Sequence, residues 1–246
     1  MKMFFSIYRN IYFFFILLLL ISCKIIPNEL NTMKLKREKM VKTQIEARGI
    51  TNKSIIEAMI KIERHKFVPE EYYKFAYDDG PLPIGYEQTI SQPYIVAYMT
   101  NELYPKKDDK ALEIGTGSGY QAAVLSVLVK DVYSIEIVNS LCEKTKEMLE
   151  KEKYNNIHVQ CGDGYKGWPE KAPFDLIIIT AAPPEIPKPL INQLAKGGRM
   201  IVPVGEFYQE LILIKKDSKG NIEKERLIPV RFVPMTGEAQ KRKIHD

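Results

Sequence analysis

Glu113-Ile114-Gly115-Thr116-Gly117-Ser118-Gly119 places three glycines between an apolar stretch and a helix-like run beginning at Tyr120. Where a strand turns into a helix, missing β-carbons let a ligand lie on the backbone, and helix-end N–H groups are expected to face it. The spacing is G-x-G-x-G, not the G-x-G-x-x-G of dinucleotide folds. Glu113 precedes the first glycine, and Glu136 ends the next apolar stretch. An acid at that second position can accept hydrogen bonds from both hydroxyls of a ribose. Gly162-Asp163-Gly164 follows a third apolar stretch. Between glycines Asp163 reads as a turn residue; in series with the other two acids it reads as an acceptor for an adenine amino group. Thr89-Ile90-Ser91-Gln92-Pro93 contributes two hydroxyls. Taken alone it is a helix N-cap sequence, with Ser91 capping and Pro93 in the first turn.

These residues need elements to hold them. Met33 to Arg48 has apolar residues at Met33, Met40, Val41 and Ile45 and is followed by Gly49, which predicts an amphipathic helix with a glycine stop. Asn52 or Thr51 caps a second helix through Ile62. Tyr77 to Pro93 is turn-rich, and Tyr94 to Leu103 is again helical. From Lys110 strands and helices alternate. Strands are expected at 111–114, 132–137, 157–160, 176–179 and 200–204, with helices at 120–129, 140–153 and 187–195, the last closed by Gly197-Gly198. This pattern predicts an α/β fold, a doubly wound parallel sheet with an N-terminal helical region. Only Gly205 to Gln209 separates the fifth strand from Leu211-Ile212-Leu213-Ile214, too few residues for a parallel crossover, so the sixth strand is expected antiparallel beside it. A long last strand then runs to Arg231-Phe232-Val233-Pro234.

The chain has 246 residues, 45% hydrophobic and 27% charged, with three cysteines and three histidines. That is globular composition, long enough for a sizeable core. Cysteines so few and so spaced make neither a disulfide framework nor a zinc knuckle, so Cys142 and Cys161 are expected as core thiols and no metal is expected. The net charge of +5 is concentrated: the first 48 residues hold nine basic and three acidic residues, and the remainder hold 27 and 28. A near-neutral body lacks the basic surplus of a nucleic-acid binder.

Lys2 and Arg9 precede the apolar run Ile11 to Ile21, which is shorter than a membrane-spanning helix and has the length of a signal-peptide core. It ends Leu20-Ile21-Ser22-Cys23, which resembles a bacterial lipobox, where the cysteine is lipidated. Residues 1–23 are therefore expected as a signal peptide with lipobox, 24–32 as a tether and 33–246 as the catalytic domain. The expected location is a membrane-associated lipoprotein with a periplasmic domain, in contact with the membrane only through that anchor; cytoplasm is the alternative.

The chain resembles bacterial protein-L-isoaspartate O-methyltransferases, within the AdoMet-dependent methyltransferases. The matching stretches are Leu82-Pro83-Ile84-Gly85, Gln88 to Tyr94, Leu112 to Gln121, Gly162-Asp163-Gly164, Ala172-Pro173-Phe174-Asp175, Thr180 to Pro187 and Arg231 to Pro234. The resemblance runs from about Met33 nearly to the C-terminus, and Gln88 to Pro93 is its most specific stretch. It implies a Rossmann-like methyltransferase sheet and transfer of a methyl group from S-adenosyl-L-methionine to the free α-carboxylate of L-isoaspartyl residues in damaged proteins and peptides, with repair through a succinimide. It also implies that Glu113 faces the methionine end of the cofactor, that Gly115, Gly117, Gly119, Glu136 and Asp163 hold the rest, that Ser91 and Thr89 work at the acceptor, and that Ile90 approaches the cofactor. The chain departs from the usual member in its N-terminal signal and in the basic tail Lys241-Arg242-Lys243.

The physical chemistry agrees with such a spare site. A carboxylate acceptor, with an ordinary pKa of about 4, is ionised at neutral pH and needs no general base. Rival readings fit less well. Amino-group methylation of nucleic acid calls for an acid or amide before Pro-Pro-aromatic after the fourth strand, where this chain has Ala182-Pro183-Pro184-Glu185. Cytosine carbon methylation needs a cysteine after proline, and neither Cys142 nor Cys161 has one. A non-catalytic binding module would not need Glu113, Glu136 and Ser91 together. A monomer is expected, with no nucleic-acid partner.

Overall fold

The computed structural model describes residues 31–241. The signal peptide, Cys23 and most of the tether lie outside the described residues, as do Arg242 and Lys243.

Residues 31–40 form helix α1, which includes the last two residues assigned to the tether. It continues as a π-turn, Val41–Ile45, and a 3₁₀ turn, Glu46–Arg48, and stops at Gly49 with φ 92°. Helix α2 (Lys53–Lys61) is capped by Asn52, whose side chain accepts from Ser54 N. Hairpin strands β1 (Leu82–Gly85) and β2 (Gln88–Ile90) lead into helix α3 (Pro93–Leu103). The two-residue hairpin turn is Tyr86-Glu87, both at positive φ (52° and 58°), the conformation that tight hairpins require.

Then the alternation begins: β3 (Lys110–Ile114), α4 (Tyr120–Ser126), β4 (Asp131–Glu136), α5 (Asn139–Lys151), β5 (Ile157–Cys161), β6 (Phe174–Ile179), α6 (Lys188–Gln193), β7 (Leu194–Val204), β8 (Gln209–Lys216), β9 (Ile222–Val230) and a final turn of helix, α7 (Glu238–Lys241). The seven-stranded sheet has the order β5-β4-β3-β6-β7-β8-β9. β5 through β7 are mutually parallel, and β8 and β9 are antiparallel, as the short Gly205 to Gln209 connection required. β3 and β6 are nearly continuous apolar runs because helices and turns cover both faces. The strand order reverses at β3, with β4 on one side and β6 on the other, and ligands of open α/β sheets bind at that reversal.

Three boundaries differ from the sequence expectation. α4 ends at Ser126, whose hydroxyl turns back to Ala123 O at 2.8 Å. Gly197-Gly198 sits inside β7 at a register shift against β6 and does not close α6. A β-carbon on Gly198 would lie 2.8 Å from Asp175 O, so the glycine permits a close backbone approach. The last strand ends at Val230, and residues 231–236 leave the sheet. The Gln209 side chain holds that exit, accepting from Phe232 N at 2.6 Å and donating to Phe232 O at 3.1 Å.

The N-terminal region packs on the element that follows the glycine-rich loop. Arg64 is fully buried with its guanidinium 4.9 Å from the Tyr120 ring, and Phe67 meets the same ring edge-on at 5.5 Å. Burial lowers the Arg64 pKa to about 10.

Cys142 and Cys161 are not core thiols. They form a disulfide between α5 and the end of β5, with Cα atoms 5.6 Å apart. The parallel pairing of β5 with β4 and the packing of α5 bring together two cysteines 19 residues apart, a proximity that spacing alone does not reveal.

Candidate active site

The glycine-rich loop leaves β3 and is drawn tightly to its neighbours. Gly115 has φ +96°, and a β-carbon there would lie 2.5 Å from Thr180 Oγ1. That hydroxyl donates to Gly115 O at 2.6 Å, so only glycine fits. Gly119 is the N-cap of α4. The N–H groups of Gly115 and Thr116 both go to Ile135 O, at 2.8 and 3.3 Å, and that of Gly119 goes to Thr116 O. Gly117 N donates to Glu136 Oε2 at 2.8 Å. The loop therefore does not present these N–H groups to a ligand, contrary to the expectation from helix-end geometry. It offers a close, flat backbone, which suits a ligand without phosphate. The β1–β2 hairpin lies over it, with Ile84 Cδ1 3.5 Å from where a Gly117 β-carbon would be.

Glu136 ends β4 and is 4% exposed. Its second oxygen accepts from Val138 N at 2.9 Å, so the carboxylate ties the loop to the start of α5. Asp163 accepts from Tyr165 N at 2.9 Å and from Glu238 N at 2.7 Å, which holds the C-terminal segment. The turn reading of Asp163 is thus met. A carboxylate offers about four lone-pair directions, so both acids keep capacity for a ligand. Gly115, Gly117, Glu136 and Asp163 line one cleft open to solvent, with Ile137, Thr180 and the segment 233–236 completing it.

Glu113 is fully buried. The Ser134 hydroxyl donates to its Oε2, and Thr116 Oγ1 meets Ser134 Oγ at 2.6 Å. Its Oε1 has no hydrogen-bond partner among the described residues. Burial pushes this carboxyl up to about 8, with the nearby Glu136 charge adding to the rise. It lines a small cavity with Ile90, Ser118, Gln121 and Thr180. An orphaned buried acceptor costs about 1–3 kcal/mol and is the feature expected where a cationic donor of a ligand docks.

Thr89 is exposed, Ser91 half-buried and Ile90 buried beneath them. α3 begins at Pro93 with Gln92 as N-cap and no side-chain cap, so Ser91 is not the capping residue. Ser91 and Thr89 line a second, wider groove with Gln92, Arg231 and Phe232. Thr89, Thr180, Val233 and Pro234 line both spaces, so the first cleft opens into the groove there. The segment 231–236 roofs this junction. Ala182 N donates to Val233 O at 2.8 Å and Met235 N to Ala182 O at 2.7 Å.

The structure thus gathers Thr89, Ile90, Ser91, Glu113, Gly115, Gly117, Glu136 and Asp163 around three adjoining spaces that share Thr89 and Thr180, with Ile90 and Glu113 lining only the smallest. Sequence reasoning missed Thr180, Ile137 and Met235-Thr236. Ile137 carried a signal, an apolar residue directly after a strand-ending acid, and the structure leaves it 39% exposed. Thr180 follows an apolar strand, which says nothing about the glycine it braces. Trp168 stays outside the cleft and packs edge-on against Tyr133 at 5.4 Å.

A doubly wound sheet with a G-x-G-x-G loop after β3, an acid ending β4 and antiparallel closing strands defines an AdoMet-dependent methyltransferase of the Rossmann-like class. Residues 35–240 match the family described as protein-L-isoaspartate(D-aspartate) O-methyltransferase, and the chain belongs to that family. A protein-L-isoaspartate O-methyltransferase of Opitutus terrae is 51% identical over 205 residues, 82% of this chain and 88% of the relative. One from Nitrosospira multiformis is 50% identical over 217 residues, covering 87% and 92%. A solved protein-L-isoaspartate O-methyltransferase superposes with a TM-score of 0.77 at 32% identity, covering 85% of this chain and 70% of that one. A β-aspartate methyltransferase structure from Plasmodium falciparum, in complex with S-adenosyl-L-homocysteine, gives 0.70 at 26% identity, covering 81% and 98%.

Proposed function

We propose that this chain methylates the free α-carboxylate of L-isoaspartyl residues in damaged proteins and peptides, initiating their repair through a succinimide. The observation that carries the reading is the junction at Thr89, Thr180, Val233 and Pro234, where the cleft lined by the glycine-rich loop, Glu136 and Asp163 opens into a groove lined by Ser91 and Arg231.

S-adenosyl-L-methionine would supply an electrophilic sulfonium methyl; a carboxylate oxygen of the acceptor bonds to that carbon as the carbon–sulfur bond breaks, and the neutral thioether leaves. In our reading Glu136 accepts from the ribose hydroxyls, Asp163 accepts from the adenine amino group and Ile137 covers the adenine face. The unpartnered Oε1 of Glu113 takes the methionine ammonium. Gly115 and Gly117 allow the close approach, and Gly119 starts the helix behind them. Ile90 forms the floor. Ser91 and Thr89 orient the acceptor oxygen, and Arg231, exposed at the groove, draws in the anionic acceptor. No histidine lines either space among the described residues, and none is needed, because the acceptor is already ionised. A cationic donor and an anionic acceptor neutralise each other during transfer, so oriented hydroxyls serve better than fixed charges. A monomeric catalytic unit is part of this reading. An isoaspartyl peptide incubated with enzyme and AdoMet should yield a methyl ester that closes to succinimide, followed by mass spectrometry. A methyl group on an amine would overturn the assignment.

We further propose that the mature protein is a lipoprotein anchored through Cys23 with its catalytic domain in the periplasm. The order of charge, apolar run and Leu20-Ile21-Ser22-Cys23 supports this, and so does the Cys142–Cys161 disulfide, since such bonds persist in oxidising compartments. Two or more acyl chains give stable anchoring. AdoMet is charged and crosses a bilayer poorly, so this location requires imported cofactor. Palmitate labelling with fractionation should find wild type labelled and membrane-bound and Cys23→Ser unlabelled. Soluble, unlabelled wild type would overturn it in favour of the cytoplasm.

A further inference from the structure

Cys161 is the last residue of β5, and its cross-strand partner in β4 is Glu136. Gly162 N donates to Glu136 O at 2.8 Å, and Asp163 follows directly. Cys142 lies in the first turns of α5, where its N–H donates to Val138 O at 2.9 Å. Val138 N in turn donates to the Glu136 carboxylate at 2.9 Å. The disulfide thus closes a short ring through Glu136, Val138, Cys142 and Cys161, and the two cleft-lining acids sit on that ring and two residues beyond it.

We propose that the Cys142–Cys161 disulfide is a covalent brace for the adenosine side of the cofactor cleft, so that the oxidised chain binds AdoMet more tightly than the reduced chain. The proposal rests on the reading of that cleft as the AdoMet site. Without the bond, the start of α5 and the segment after β5 have no covalent link to each other and are held at the C-terminal edge of two strands by side-chain packing and by hydrogen bonds such as Val138 N to the Glu136 carboxylate and Gly162 N to Glu136 O. Glu136 and Asp163 are then held by hydrogen bonds alone, while the acceptor groove, lined by residues 81–95, Thr180 and 229–234, contains neither cysteine and neither of these acids. Cys142 is fully buried and Cys161 half-exposed, so exchange begins at the Cys161 sulfur. Oxidation joins the two sulfurs with loss of two protons and two electrons. The electrons pass by thiol–disulfide exchange to the disulfide of a thiol oxidoreductase, which leaves as a dithiol. Dithiothreitol reverses the step, restoring both S–H bonds and becoming a cyclic disulfide.

Cys142 and Cys161 are positioning residues here, and the test separates them from a general structural role. Oxidised and dithiothreitol-reduced full-length protein are titrated with S-adenosyl-L-homocysteine by calorimetry, with far-UV circular dichroism recorded on both. Reduction should weaken binding about fivefold or more, the lower range of coupling between linked sites. KM for AdoMet should rise with it, and KM for the isoaspartyl peptide and kcat should hold. The double variant C142A/C161A should show the weaker affinity with or without reductant. By reciprocity, saturating S-adenosyl-L-homocysteine should make the disulfide harder to reduce in glutathione buffers by the same factor. Affinities of the two forms within about twofold of each other would overturn the brace. So would collapse of the dichroism signal on reduction, which would make the bond a requirement of the whole fold. Oxidised protein that fails to bind S-adenosyl-L-homocysteine at all would overturn the cofactor reading and the brace with it.

Discussion

Replacing Glu113 with Gln removes a fully buried carboxyl whose Oε1 has no partner among the described residues. Burial raises its pKa from an ordinary 4.5 to about 8. Between those values the folded chain holds a proton that the unfolded chain has released. Stability therefore falls as pH rises through this window and levels off above about 8. A shift of that size corresponds to up to about 5 kcal/mol lost by the wild type across the window. Glu113→Gln removes the slope, so urea unfolding of the cofactor-free proteins should show little difference near pH 4.5 and the variant clearly more stable above pH 8. AdoMet acts in the opposite sense. Its cationic groups favour the ionised carboxylate, so binding expels the proton, and wild-type affinity should gain on that of Glu113→Gln as pH rises, by at most tenfold per unit. Parallel stability curves for the two proteins across the window would refute a neutral buried carboxyl. A constant affinity ratio would refute the contact between Glu113 and the cofactor's cationic end.

Glu136→Ala removes a charged acceptor that already ties Gly117 N and Val138 N together, and calorimetry should find AdoMet affinity at least about tenfold lower, from a loss of about 1.5–3 kcal/mol. Unchanged affinity would sink the ribose assignment. Ser91→Ala should lower kcat far more than it weakens AdoMet binding, because the lost hydroxyl acts on alignment of the acceptor. A methylated or acylated Ser91 intermediate would contradict direct transfer. Gly115→Ala forces a β-carbon to 2.5 Å from Thr180 Oγ1 at φ +96°, so thermal unfolding should come earlier by at least about 1 kcal/mol and AdoMet binding should be lost with it. A folded, cofactor-binding Gly115→Ala would mean that the loop is looser than described.

The parts of this fold that could be read from the sequence are those governed by local rules. Asn52 caps its helix as its type suggests, and the short link from Val204 to Gln209 forces an antiparallel β8. Glu113, Glu136 and Asp163 were identifiable because each lies at or just past the C-terminal end of an apolar strand, and a parallel sheet sends all such ends to one edge. What was missed depends on contacts distant in sequence. Gly197-Gly198 looks like a helix stop until β6 is seen to need the close approach that a glycine permits. The cysteine pair is invisible until β4 and β5 pair and α5 packs back. The loop's N–H groups were expected to face the ligand, yet Ile135 O and the Glu136 carboxylate claim them. Residues 231–234 read as strand in the sequence, but they leave the sheet where the Gln209 side chain takes the Phe232 backbone groups and Ala182 takes those of Val233 and Met235.

The most direct measurement is methyl transfer to an isoaspartyl peptide compared with its normal aspartyl twin, at equal concentrations of peptide, enzyme and AdoMet. Uptake of methyl into base-labile ester on the isoaspartyl peptide, with none on the twin, is the expected result. Equal labelling of the two peptides, or labelling of neither by protein that binds AdoMet, would contradict the assigned function.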